Sequence, residues 1–375
     1  SSLWLARRVT SAEGEGHSLL SLCLLPLFFI LKRILRRNVP DKEQPAGGGC
    51  ALRHAESSSP GCEGMSLSTY RGTPAEPSIP LHWNLPGKEP RSPHYKIRNP
   101  EKRDFIMEIL MLGTGRAMVT RCFNTCFLLS ESGQRLLVDG GGGNGILAQL
   151  RRISVSPDEI HTIYVTHRHL DHILGILWMV RAICQEITRG TFSCDLIVYP
   201  HPELLDTIRS LVMMLIREKE TRLIGSRVHL LPVGDGEEKE ILGHRTVFFD
   251  IHSVKAKQFG FSMELPCGNL TCLGDEPLNS FGEKYARGSA WLMHEAFCLE
   301  AQSALYNPHE KKHSTVKEAC ENAARMGVRN VILYHTEDDS LEQRRRLYTE
   351  EGRHYFSGNI YVPDDLERIP VCQPC

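Results

Sequence analysis

The chain has 375 residues, 41% hydrophobic and 24% charged, a balance that excludes wholesale disorder and a multi-span membrane protein. Its 44 basic residues nearly cancel 45 acidic ones, so no global field draws in nucleic acid, and such a substrate would need a local basic patch. The thirteen cysteines are scattered and odd in number; they read as reduced thiols of a cytoplasmic protein rather than as a disulfide framework.

Residues 1–103 are expected to be an extension that the fold does not need. Ser18 to Leu31 is an apolar run followed by KRILRR, too short for a spanning helix of about 20 residues and wrongly flanked for a signal peptide, so no membrane association is expected. From Asp41 to about Pro100 the composition turns to Pro, Gly, Ser and charge without an apolar period, which predicts a loosely held linker. The working domain is expected at residues 104–371. Within it, short apolar runs predict strands at Glu108 to Leu112, Cys126 to Leu129, Arg135 to Val138, Thr162 to Val165, Leu196 to Tyr199, Val247 to Ile251, Leu270 to Leu273, Ala290 to Met293 and Val331 to Tyr334. Apolar spacing of three and four predicts helices at Gly145 to Ile153, His172 to Ile187, Pro202 to Arg222, Thr315 to Met326 and Ser340 to Tyr348. Such alternation implies a layered α/β architecture.

Four of these strands run into potential metal ligands. TIYVT leads to His167, His169, Asp171 and His172 of THRHLDH; TVFFDI leads to His252; LTCLG to Asp275; VILY to His335. Imidazoles and carboxylates suit zinc and similar divalent ions. His167 and His169, two apart on an extended segment, can face one metal, while Asp171 and His172 turn toward a second. Asp275 is the candidate carboxylate to bridge two cations about 3.5–4 Å apart. Without a metal, packing so many titratable groups together would be costly. Two cations would acidify a bridging water and neutralise charge on a substrate oxygen, which gives hydrolysis. No nucleophile triad and no phosphate-cradling loop with its lysine competes with this reading. Asp139, ahead of Gly140 to Gly143, closes a strand at a sharp exit, where its carboxylate would orient a ligand histidine.

THRHLDH matches the H-x-H-x-D-H signature of the metallo-β-lactamase superfamily, and the chain from about Met107 to Val371 resembles its ribonuclease Z branch. LGTG stands near the start, LGDEP is similar to the family's S-G-D-T, MHEAF to its H-E-A-T-F, HSTVKEA to its H-S-T motif, and LYHTEDD carries its last ligand histidine. The resemblance implies a four-layer αβ/βα sandwich and two zinc ions, with manganese or iron as other loads. It places His167, His169 and His252 on one ion and Asp171, His172 and His335 on the other, with Asp275 between them. It also implies that Asp171 orients or deprotonates the attacking water and that His313 protonates the leaving oxygen. His294 and Glu295 either support His313 or a ligand, or close a strand end as a polar pair. Lys311 and Lys312 either touch phosphate or form a solvated face.

The function so implied is phosphodiester cleavage by metal-bound hydroxide, in RNA 3′-processing or on a smaller diester. Two alternatives stay open: hydrolysis of a lactone, thioester or β-lactam, and a non-catalytic, metal-stabilised binding protein. Family enzymes that trim transfer RNA carry a helical arm between the third ligand histidine and the bridging aspartate. Here residues 253 to 274, 22 in all, suffice for a strand hairpin and little more. Glu276 stands where the family has threonine, and Phe297 follows Ala296 directly. The stretch from Glu203 to Arg222 reads as a core-facing helix, with a homodimer face as its alternative.

Overall fold

The computed structural model describes residues 107–372, so the expected extension 1–103 and its apolar run lie outside the described residues. Among the described residues no helix is long and apolar enough to cross a membrane.

The chain before residue 231 forms β1 (Met107–Gly113), β2 (Cys126–Glu131), β3 (Gln134–Val138), β4 (Thr162–Tyr164), β5 (Leu196–Tyr199) and β6 (Val228–Leu230). The remainder forms β7 (Glu238–Ile241), β8 (His244–Asp250), β9 (Phe259–Met263), β10 (Leu270–Cys272), β11 (Trp291–Glu295), β12 (Asn330–Tyr334), β13 (Asn359–Tyr361) and β14 (Arg368–Cys372). Two seven-stranded sheets result, in the orders β14-β1-β2-β3-β4-β5-β6 and β13-β12-β11-β10-β9-β8-β7. Each is antiparallel at its hairpins and parallel from β3 to β6 or from β10 to β13.

The two-residue period of a strand divides its side chains between two layers. In β1, Ile109 and Met111 face the opposite sheet and join Phe248, Phe261, Met293 and Ile332 in the central core. Leu110 and Leu112 face outward, where they meet Ile146, Ile173, Ile176 and Ile208 from the helices α1 (Gly145–Arg152), α2 (Leu170–Arg189) and α3 (Pro202–Leu215). On the far side, Phe249, Leu292 and Leu333 pack on Val316, Ala319, Ala323 and Tyr348 of α4 (Val316–Met326) and α5 (Leu341–Gly352). Helix, sheet, sheet and helix therefore enclose three apolar cores, the four-layer α/β sandwich expected.

The helix predicted from Pro202 to Arg222 stops at Leu215. Ile216 turns extended (φ −99°, ψ 147°) and buries its side chain in the outer core, and a separate turn follows at Glu218–Thr221. The inner face of α3 (Leu204, Ile208, Val212) is core, whereas Met213, Met214 and Leu215 at its end are exposed.

The glycine run after β3 sets the start of α2. Gly140 donates to the carbonyl of His172 at 2.8 Å, and Gly175 donates to that of Gly141 at 2.9 Å. A Cβ on Gly175 would stand 1.7 Å from the Gly140 carbonyl oxygen, which is backbone and cannot rotate away. Gly175→Ala is expected to destabilise by at least about 1–3 kcal/mol, the range for overpacking. Gly234→Ala, with its nearest contact at 3.4 Å and no positive φ, should leave the thermal midpoint in place. Equal midpoints for both variants would show that α2 does not need this approach.

Candidate metal centre

β4 ends at Tyr164, and the next residues run extended to His169, which precedes the first turn of α2 (φ −65°, ψ 150°). His167 and His169 thus lie on extended chain, while Asp171 and His172 occupy the helix's first turn, where the exposed amides favour a carboxylate. The Nε2 of His167 is 2.8 Å from Nδ1 of His169, two ring nitrogens so close that they share one proton or one cation.

From the second sheet come Asp275, three residues past β10, and His335, directly after β12. Oδ2 of Asp275 lies 3.6, 3.8 and 3.7 Å from the Nε2 atoms of His167, His172 and His335. Oδ2 of Asp171 lies 3.3 and 3.6 Å from those of His172 and His335. His167, His169 and Asp275 form one donor cluster and Asp171, His172 and His335 another; a third joins Asp275, His313 and His335.

Asp139 holds this assembly from behind. Its Oδ2 accepts from Nδ1 of His172 at 2.7 Å and from the Thr166 hydroxyl at 2.7 Å, while Oδ1 accepts from the Thr166 amide at 2.8 Å. His172 is left with Nε2 as its ligand atom. Asp139 and His335 both have φ near +57°, in a region that costs a non-glycine residue about 1–3 kcal/mol and clusters at functional sites.

Two expected residues are not brought to the cluster. The amide of His252 donates to Oδ1 of Asp250 at 2.7 Å, its backbone is left-handed (φ +54°), and its exposed ring lies on Phe281 with centroids 3.9 Å apart. Among the described residues His252 joins none of the donor clusters. His294 follows the parity of Leu292 in β11 and faces the outer layer, so its neighbours are not His313 or the ligands. Its Nδ1 donates to the Glu295 carbonyl at 2.6 Å, and Nε2 accepts from the Leu278 amide and Asn322, each at 3.3 Å.

Glu295, on the opposite parity, faces the centre. Its Oε1 accepts from the amide and hydroxyl of Ser314, and Oε2 is 3.5 Å from Nδ1 of His313. The His313 ring stacks on Phe297 (4.6 Å, 14°), and its Nε2 is 3.4 Å from Nζ of Lys255. Lys311 gives its ammonium to the Tyr306 carbonyl at 2.7 Å and sits over the Phe297 ring.

Burial depresses the basicity of His167, His169 and His335, which favours neutral, ligating imidazoles. Burial would raise the carboxyls of Asp275 and Asp171, yet the facing imidazoles outweigh it and hold both well below the usual range. On His172 burial opposes the charge, but Asp171 and Asp139 overcome it and push the pKa up. Two buried carboxylates therefore demand positive charge at Nε2 of His172. Nε2 of His172, Nε2 of His335 and Oδ1 of Asp275 are buried and make no hydrogen bond among the described residues. This donor set fits a divalent cation.

Fold and centre define a metal-dependent hydrolase of the metallo-β-lactamase type. The metallo-β-lactamase fold protein YhfI from Bacillus subtilis aligns over 70% of this chain and 99% of its own, with TM-score 0.57 and 15% identity. Human tRNase Z, short form, aligns over 71% and 100%, with TM-score 0.54 and 20% identity. A ribonuclease Z from Bacillus cereus (strain AH187) is 25% identical over 315 residues, covering 71% of this chain and 99% of that protein. Residues 107–354 match the model of the anti-Pycsar protein Apyc1 family, and the chain belongs to that family.

Ser253 and Lys255 also reach the centre's edge, and Thr166, the first residue of THRHLDH, supports it through Asp139, although sequence reasoning gave none of the three a role. The one signal was Glu276: an acid added beside Asp275 calls for a cation nearby. Removing the group that fixes the His172 ring should weaken cation binding about 10–100-fold, as for other partners of ligand histidines. Asp139→Ala titrated with a zinc-buffering chelator is expected to lose affinity on that scale, and wild-type affinity would remove Asp139 from the centre.

Proposed function

We propose that the chain hydrolyses a small phosphodiester at a dinuclear zinc centre. The observation that carries this reading is the meeting of two donor clusters at Oδ2 of Asp275 with His313 alongside. Zinc held by His167, His169 and Asp275, and by Asp171, His172, His335 and Asp275, would polarise the phosphoryl group and lower the pKa of water. His252, whose ring lies on Phe281, is the remaining imidazole expected on the first side. His252→Ala should therefore lower zinc content below two per chain by elemental analysis; unchanged content would confine the set to the other six residues.

Asp171, set between Nε2 of His172 and Nε2 of His335, is the carboxylate that would accept a hydrogen bond from the attacking water and orient it. His313 is the proton donor to the leaving oxygen. Glu295 faces its Nδ1 and Phe297 packs flat on its ring, which together fix the direction of Nε2. Glu295 thus acts through His313 as a positioning residue. His294, with both nitrogens engaged, takes no chemical part.

The chain between the second-sheet ligands bears on substrate size. Residues 253 to 274 contain β9 and β10 and no helix, so the transfer RNA arm of the related enzymes has no counterpart there. A groove walled by Arg168, His201 and residues 253–257 lies along the loop before β9. The nine free cysteines among the described residues suit the reducing cytoplasm. The exposed end of α3 is the face a homodimer would bury.

Full-length, zinc-loaded protein should turn over bis-p-nitrophenyl phosphate in preference to a 3′-extended transfer RNA. Chelation should abolish this activity, and Asp171→Ala should lower kcat at least about 100-fold, as for loss of an acid-base group. Hydrolysis of an acyl ester without any phosphodiester cleavage, at two metals per chain, would overturn the reading.

A further inference from the structure

Lys255 is a cation at the edge of the centre that neither the fold nor the metal ligands require. Its Nζ lies 3.4 Å from Nε2 of His313 and 3.6 Å from Oε1 of Glu276, and its side chain is only 23% exposed. Among the carboxylates and imidazoles of the centre its charge is felt at Asp275 and His169.

The loop that carries it is built, not loose. The Ser253 hydroxyl accepts from the amides of Lys255 and Ala256 at 3.2 and 3.3 Å and donates to Oε1 of Glu276 at 2.6 Å. Glu276, 6% exposed, is thereby fixed to the same loop as the ammonium it faces. A lysine ammonium has three donors and no acceptor. His313 and Glu276 take two directions, and the third is left for the groove that Lys255 shares with Arg168. Lys257, also on that loop, spends its charge on Glu203 at 3.2 Å and Asp250 at 3.4 Å.

Resting on the phosphodiester reading, we propose that Lys255 is a catalytic residue that donates to a non-bridging oxygen of the scissile phosphoryl group, with Glu276 as its positioning residue. The phosphoryl group enters from that groove and takes up the ammonium's hydrogen bond, which neutralises charge on the phosphorus oxygens and releases Nε2 of His313 to carry the proton for the leaving oxygen. No bond to Lys255 forms or breaks. The acid at position 276 is the counter-ion that keeps the ammonium on this path.

The test titrates inorganic phosphate into zinc-loaded, full-length protein by calorimetry, with metal content confirmed for each variant, and measures kcat and KM on bis-p-nitrophenyl phosphate. Lys255→Ala should weaken phosphate binding about tenfold or more and lower kcat more than it raises KM, since hydrogen bonds to charged groups are worth about 1.5–3 kcal/mol. Lys255→Arg should recover part of both, Glu276→Gln should lose less than Lys255→Ala, and Lys219→Ala, an exposed lysine outside the groove, should stay within about twofold of wild type. Phosphate that binds wild type and Lys255→Ala alike, that binds neither, or that is weakened as much by Lys219→Ala overturns the assignment. If phosphate binding depends on Lys255 while only acyl esters are turned over, the phosphodiester reading fails and the anion contact stands.

Discussion

Burying Asp171 and Asp275 among His167, His172 and His335 is the constraint on which the rest of the site depends. A lone carboxylate out of water is prohibitive, and two facing each other across a few ångströms are worse, unless positive charge is supplied. The chain supplies it by pointing imidazole Nε2 atoms at both acids from beyond two strand ends, those of β4 and β12. Each ring then needs its own support, which for His172 is Asp139 and, through Asp139, Thr166. The left-handed backbone at Asp139 and His335 is a local cost of aiming these side chains across the interface between the sheets.

Much of this was legible in the sequence, because it rests on short-range patterns. Period-two runs ending on His, Asp or Glu marked strand ends, and THRHLDH packs three histidines and an acid into one strand-to-helix turn. A layered α/β architecture also followed from apolar strands alternating with amphipathic helices, and the count of four layers from the resemblance to the metallo-β-lactamase superfamily. What escaped depends on tertiary contacts. Ile216 continues the apolar pattern of α3 yet is core in an extended conformation, and the charged β7 shows no strand signal at all. The seat of His252 is set by the Asp250 carboxylate and the Phe281 ring, and no spacing reveals either partner. His294 could have been read better. Its parity with Leu292 places it on the helix side of β11, whereas motif similarity alone pairs it with Glu295.

The departures from the ribonuclease Z pattern gather around one imidazole. Phe297 lies flat on His313, and Glu276 reaches the same ring through Lys255. Two changes apart in sequence therefore alter one side of the centre, beside His335 and Asp275.

The split origin of the donors has a further consequence. His167, His169, Asp171 and His172 follow β4 of the first sheet, Asp275 and His335 follow β10 and β12 of the second, and besides the central apolar core a few hydrogen bonds, such as Phe259 to Thr166 and Thr336 to Thr114, join the two at this edge. A bound cation is then a cross-link between halves of the chain that meet late, since contacts of long sequence separation wait on loop closure. Its binding free energy enters the folding free energy directly, so the folded fraction varies with free metal concentration. Metal supply would thus govern how much of this chain persists in folded form, independently of any turnover.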